Sequence, residues 1–168
     1  MDFKEGQEVR LKIKSVLYEV EASLFSDDEP DDGDITSLLR IIEDNSPDEM
    51  VINTEGKISL ADGRFSVSYD ESEATGMLGA TTSVSFSLDQ PEIISMIRSG
   101  SVSTALVFEE RKRHHCLYKT PYMPFEICVH TLSTDNRLTE DGTLSLDYVI
   151  EIRGAQAERT KFNMQILP

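Results

Sequence analysis

From Val9 to the C-terminus, apolar and polar residues alternate with period two in short runs, broken every ten or so positions by Gly, Asp, Asn or Pro. That pattern predicts short antiparallel strands in a sandwich or barrel. The opening run, Val9-Arg10-Leu11-Lys12-Ile13-Lys14, is apolar on one face and cationic on the other, so one side is built to face water. After Ser15 the apolar phase moves to Val16, Tyr18 and Val20, which predicts a bulge or a bend. Phe65, Val67 and Tyr69 alternate with Arg64, Ser66 and Ser68 after the turn Ala61-Asp62-Gly63, and Val84, Phe86 and Leu88 alternate with Ser83, Ser85 and Ser87. Three more inward sets follow: Thr104, Leu106 and Phe108; Leu144, Leu146, Tyr148, Ile150 and Ile152 after Asp141-Gly142; and Phe162, Met164 and Ile166. Strands with one wet face exclude a parallel sheet, whose strands are apolar throughout.

One segment breaks the alternation. Residues 27–34 carry six carboxylates in eight positions, which cannot enter a core without prohibitive desolvation and so form an exposed loop. An EF-hand is excluded, because aligning Gly33 as the loop glycine puts Pro30 and Leu39 where oxygen ligands belong. Ile35, Leu38, Leu39 and Ile42 then recur at helical spacing, with Asp34 or Thr36 as N-cap and Asn45-Ser46-Pro47 as the stop. The expected architecture is all-β: a single domain over 1–168, an antiparallel up-and-down barrel of about 8–10 strands, with one short helix in an insertion over 21–47. Closure is preferred over a sandwich because Tyr69, Glu71, Arg98, Tyr118 and Tyr148 interrupt the apolar faces. Polar groups facing inward sit more easily around a hydrated cavity than in a dry core.

The 168 residues suffice for one core but would make two domains cramped. Sixteen Lys and Arg against 31 Asp and Glu give a net charge of −15, a field that repels phosphate backbones and anionic headgroups. Nucleic acid and membrane surfaces are therefore not expected as partners, and the basic run Arg111-Lys112-Arg113 reads as a solvated strand edge. The polar start, Met1 to Gly6, lacks the apolar run of a signal peptide, and Cys116 and Cys128 are the only cysteines. These features predict a cytoplasmic protein with free thiols and no disulfide framework.

Thr54-Glu55-Gly56, the run Tyr69-Asp70-Glu71-Ser72-Glu73-Ala74-Thr75-Gly76-Met77, Arg98-Ser99-Gly100, Phe108 and Tyr118-Lys119-Thr120-Pro121-Tyr122 together resemble the YwiB-like family of calycin-type β-barrels over roughly residues 50 to 166. The resemblance implies a lipocalin-like or streptavidin-like barrel in a bacterial cytoplasmic protein, and a domain of unknown function; it transfers a fold, not an activity. Two departures stand out: the insertion between Glu21 and Ser46, and Met123-Pro124 where a glycine is expected after the tyrosine.

The candidate ligand-binding residues are Tyr69, Glu71, Glu73, Arg98, Tyr118 and Tyr148. An inward Arg98 needs a carboxylate, which Glu71 or Glu73 can supply as a bidentate partner. On an extended segment Glu71 and Glu73 share a face, within about 7 Å, a spacing that also suits an acid–base pair. No nucleophile motif or oxyanion donors accompany them, so no catalytic residue is assigned. Gly76 and Gly79 bracket a turn with positive φ, without the strand-before, helix-after context of a phosphate loop. A hairpin with its loop at Thr120–Met123 pairs Lys119 with Pro124 and sets His115 opposite Cys128, with His130 on the same outer face. Those three lack a fourth ligand, so neither a metal nor a cofactor is expected. The functional expectation is a small, partly polar or amphipathic ligand bound in the barrel cavity. The alternatives are an interaction module working through the acidic loop or barrel surface, and a hydrolase using Glu71 and Glu73. Ligand identity and the choice between monomer and homodimer stay open.

Overall fold

The computed structural model describes residues 1–20, 47–119, 122, 124–152 and 156–168, and among these ten strands account for nearly all of the regular structure. In chain order they are β1 (Glu8–Val20), β2 (Asp48–Ala61), β3 (Arg64–Asp70), β4 (Ala80–Ser87), β5 (Gln90–Gly100), β6 (Ser103–Glu109), β7 (Arg113–Lys119), β8 (Pro124–Arg137), β9 (Thr143–Ile152) and β10 (Gln156–Leu167). Each strand pairs antiparallel with its neighbours in sequence, and β10 returns to β1 to close the barrel. Closure leaves no sheet edge along the ring, and sequence-adjacent pairing needs only short connections. The predicted helix over 35–42 and the acidic run 27–34 lie outside the described residues. Among those described, the helical element is a single 3-10 turn, Glu73–Thr75, and no helix is long and apolar enough to cross a membrane.

The tight turns sit where Gly and Asp predict them. Asp62 and Gly63 both take positive φ, 53° and 72°, the type I′ geometry that matches strand twist in a two-residue hairpin. Gly76 and Gly79 also have positive φ, within the connection from β3 to β4. The β7–β8 hairpin has the expected register, with Lys119 opposite Pro124 and His115 opposite Cys128.

Two expectations about phase are corrected. No bulge interrupts β1, whose ladders run unbroken from Arg10↔Leu167 to Val20↔Ala157 and from Glu8↔Lys57 to Leu17↔Asp48. Instead Val16, opposite Lys161 and Glu49, is buried on the outer face, while the inward side stays covered by Phe162 and Thr160, opposite Ser15 and Leu17. The register shifts fall elsewhere, between Ser85 and Ser87 and between Thr131 and Ser133. Leu88 is not inward but half exposed, because the chain has already left β4 for the turn.

Cross-strand pairing arranges the interior in tiers. Leu60, Phe65 and Phe86 form one row, with Ile94 and Phe108 completing it beyond the β4 shift; the Phe65 and Phe86 rings stack at 5.3 Å. Ile58, Val67, Val84, Met96 and Leu106 form the next, and all are buried. Fully burying side chains of this size contributes about 1.5–3 kcal/mol each, so these rows carry much of the driving force for folding. The third row is polar: Gly56, Tyr69, Thr82, Arg98, Thr104 and Tyr118 are successive direct partners from β2 to β7.

Candidate functional site

The polar row places an ion pair at one end of the barrel. Tyr69 and Glu71 are two positions apart and both buried, and Thr82 stands opposite Tyr69 on β4 with Arg98 beyond it on β5. The Thr82 hydroxyl donates to Glu71 Oε1 at 2.6 Å and accepts from Arg98 Nε at 3.2 Å. Arg98 Nε lies 3.6 Å from the same Glu71 oxygen. The contact is therefore not the expected bidentate fork; one hydroxyl bridges the two charges. Arg98 Nη2 turns down onto Met96 Sδ at 3.7 Å, joining the polar row to the aliphatic row beneath.

The Glu71 side chain is only 1% exposed, and its Oε2 has no hydrogen-bond partner among the described residues. A buried carboxylate oxygen normally accepts, because leaving it bare costs about 1–3 kcal/mol or more. The threonine at position 104, next along the row from Arg98, likewise buries an unpartnered Oγ1. Burial pushes the Tyr69 phenol well above its usual range and the Glu71 carboxylate adds to this, while Arg98 and the Thr82 hydroxyl oppose it. Tyr148 is raised by burial too, against the pull of Arg98 and a hydrogen bond with Thr160. Both phenols therefore stay protonated and can donate.

Glu71, Arg98 and Tyr69 line a hollow of about 30 Å³ with Ile13, Ser15, Met50, Ile52, Thr75, Met77 and Phe162. Such a space holds one or two water-sized groups, far short of the ~300–1,000 Å³ of a pocket that swallows a drug-sized molecule. Thr75 and Met77 come from the connection between β3 and β4, which is tied back by the Glu71 amide donating to the Ala80 carbonyl.

The six sequence candidates thus divide. Tyr69, Glu71 and Arg98 meet at the hollow; Tyr118 sits on the same row, packed against the core; Tyr148 points inward, its ring 4.6 Å from that of Phe108. Glu73 does not join them. Strand β3 ends at Asp70 and the backbone is still extended at Ser72, but Glu73 opens the 3-10 turn and is exposed, so it does not share the burial of Glu71. Among the described residues Glu71 is the one carboxylate lining the hollow, which leaves a paired-carboxylate mechanism without its second acid. Thr82 was missed by sequence reasoning, although its signal was present: with Ser83, Ser85 and Ser87 outward, phase puts Thr82 inward beside Val84.

His115, Cys128 and His130 lie on the outer face of β7 and β8. His115 is exposed; Cys128 and His130 are buried, and Arg113 stands opposite His130. His130 Nε2 is 3.4 Å from Glu151 Oε2. Burial lowers the His130 pKa from 6.5 to about 4, with Arg113 and His115 acting in the same direction. A neutral ring that donates Nε2–H to Glu151 fits this geometry. Burial raises both thiols, Cys116 and Cys128. Among the described residues no three His, Cys, Asp or Glu side chains are placed to hold a metal ion.

Comparison with known proteins adds family and fold. A family model described as a domain of unknown function, DUF1934, matches residues 35–164. No curated protein matches. Among solved structures, the ywiB protein from Bacillus subtilis superposes with a TM-score of 0.61 over 96% of this chain and 94% of that one, at 14% sequence identity. At that identity the likeness is one of fold. With most of its length inside the family model and a YwiB-like barrel around its core, the chain belongs to the DUF1934 family of unknown function.

Proposed function

We propose that this protein is a calycin-like binding barrel that takes a small, partly polar or amphipathic molecule at the end of the barrel where Arg98 and Glu71 meet. The observation that carries the reading is Glu71 Oε2: an acceptor on a 1% exposed side chain, without a partner among the described residues, in a residue lining a hollow beside a guanidinium. The size of the hollow sets the mode of binding. A polar end group enters, and the body of the molecule lies at the mouth against Met50, Ile52 and Met77. Tyr118, on the same row, and Tyr148, from the same interior, pack against the core beneath it.

The test is native mass spectrometry of protein purified from its own cells, alongside a thermal-shift screen of small metabolites. Binding raises the midpoint by a free energy of RT ln(1 + [L]/Kd), and Arg98→Ala removes that gain. A bare mass together with a midpoint that no small molecule moves refutes the reading.

A further inference from the structure

We infer that the barrel parts sideways between β6 and β7, and that this seam is a route into its interior; the inference stands apart from the binding reading, since no ligand enters it or its test. The ring closes unevenly there. The β6–β7 ladder holds Ser103↔Lys119 and Thr104↔Tyr118 and then stops, whereas β5–β6 runs from Ile93↔Glu109 to Arg98↔Thr104 and β7–β8 from Arg113↔His130 to Lys119↔Pro124. The same register carried on would set Ala105 opposite Leu117 and Val107 opposite His115, and neither pair joins the ladder.

Backbone bonds tie β7 to β8 instead. The Thr131 amide donates to the Lys112 carbonyl and the Arg111 amide to the Thr131 carbonyl, so the connection after β6 bonds to β8 as β7 does. Alternate residues of an antiparallel strand point their amides to opposite neighbours, so His114 and Cys116 face β8 while His115 and Leu117 face β6, where the ladder has lapsed. Side chains span the gap: the Val107 main chain hydrogen-bonds to the Cys116 sulfur, and His114 Nε2 lies 3.2 Å from Glu109 Oε2. Sulfur is a weak acceptor and the His114 and Glu109 side chains are about a third exposed, so neither contact replaces a run of backbone bonds. The turn joining the two strands holds Arg111 at φ 63°, a conformation that favours glycine and strains the tip of the hairpin.

Packing leaves the same strand loose. The inward residues of β6, Thr104, Leu106 and Phe108, are buried, and so are Ile127, Val129 and Thr131 of β8. On β7 the inward His114, Cys116 and Tyr118 are only half-buried, and none of them is a large aliphatic residue. With less apolar area removed from water, less holds β7 to the core. A stretch of wall with few backbone bonds and little apolar burial opens locally, well before the whole barrel unfolds. Parting it uncovers Phe108, whose ring packs on Tyr148 inside the barrel.

Amide hydrogen exchange and thiol labelling of the native full chain test this, both followed across urea concentrations below the unfolding midpoint. The amides of Val107, His115 and Leu117 are expected to exchange about 100-fold or more faster than that of Cys116, the alternation of a strand bonded on one side only. N-ethylmaleimide, with the Cys116 adduct mapped by mass spectrometry, is expected to react at a rate that barely changes with urea, and a pyrene maleimide at a comparable rate. Equal protection of the four amides overturns the inference, because the seam is then bonded like the rest of the wall. Labelling of Cys116 with the full urea dependence of global unfolding overturns it as well, because the seam then opens only when the whole barrel does. Labelling by the small reagent alone marks a fixed slit and overturns the opening.

Discussion

Arg98 Nε and Glu71 Oε1 lie 3.6 Å apart across the end of the barrel, with the Thr82 hydroxyl bonded to both. Two charges mostly removed from water are stable only together, because either one alone faces desolvation without compensation. Arg98→Ala should therefore cost about 2–4 kcal/mol in urea unfolding, by stranding the Glu71 carboxylate. The double variant Arg98→Met, Glu71→Gln should recover most of that loss. If the double variant loses as much as the two single changes added together, the residues are not coupled.

Gly100 closes the same end of the barrel through backbone contact. Its φ is 118°, and a Cβ at this position would stand 2.3 Å from the Gly79 carbonyl oxygen and 3.1 Å from the Ala80 Cα. Both obstacles are main chain, so neither can rotate away. Gly100→Ala is expected to destabilise by about 2–4 kcal/mol, through strain at positive φ and overpacking. It should also displace the connection carrying Thr75 and Met77, seen as amide shift changes over residues 75–80. An alanine variant with the stability of the native protein would contradict this close approach.

His130 makes stability depend on pH with a definite sign. Its pKa is lowered to about 4 in the folded protein from 6.5, so between those values the unfolded chain holds a proton that the folded chain does not. Stability is then full above about pH 6.5 and falls as pH drops toward 4, by at most about 3 kcal/mol from this one group. Unfolding midpoints measured from pH 7.5 to 4.5 should show the slope, and His130→Gln should flatten it. An unchanged slope in the variant would assign the effect to other groups.

Asp147 and Arg159 form the best-aligned ion pair on the outer wall. Arg159 Nε and Nη2 donate to the two Asp147 oxygens at 2.9 and 2.7 Å, with the side chains 17% and 19% exposed. The fork geometry and partial burial put this pair above an ordinary surface bridge, and a double-mutant cycle with Asp147→Asn and Arg159→Met should give a coupling of about 1–2 kcal/mol. The coupling should survive 0.5 M salt better than that of Lys14 with Glu49, whose side chains are about half exposed.

Much of the architecture was legible in the alternation. Phe65, Val67 and Tyr69, or Phe162, Met164 and Ile166, fall on one face because side chains of an extended strand alternate strictly, and the I′ turn at Asp62-Gly63 follows from residues that tolerate positive φ. The apolar phase change at Val16 does not mark a bulge, because periodicity reports burial and not ladder register; here Val16 alone among the described outer residues is buried along a strand of unbroken register. Glu73 was misplaced for a related reason. Spacing by two puts residues on one face only while both stay extended, and Glu73 itself begins a 3-10 turn.

The sequence by itself determined the strands, their inward faces, the β7–β8 register and the presence of Arg98 and Glu71 among inward residues, because all of these are set by neighbours in the chain and by the period of the pleat. Tertiary structure alone decided that Thr82 bridges the two charges, that Glu71 keeps an oxygen without a partner among the described residues, and that the space beside it is about 30 Å³. Those facts depend on how ten strands stagger around a closed ring, which sets the level at which side chains far apart in sequence meet, and no local pattern encodes that stagger.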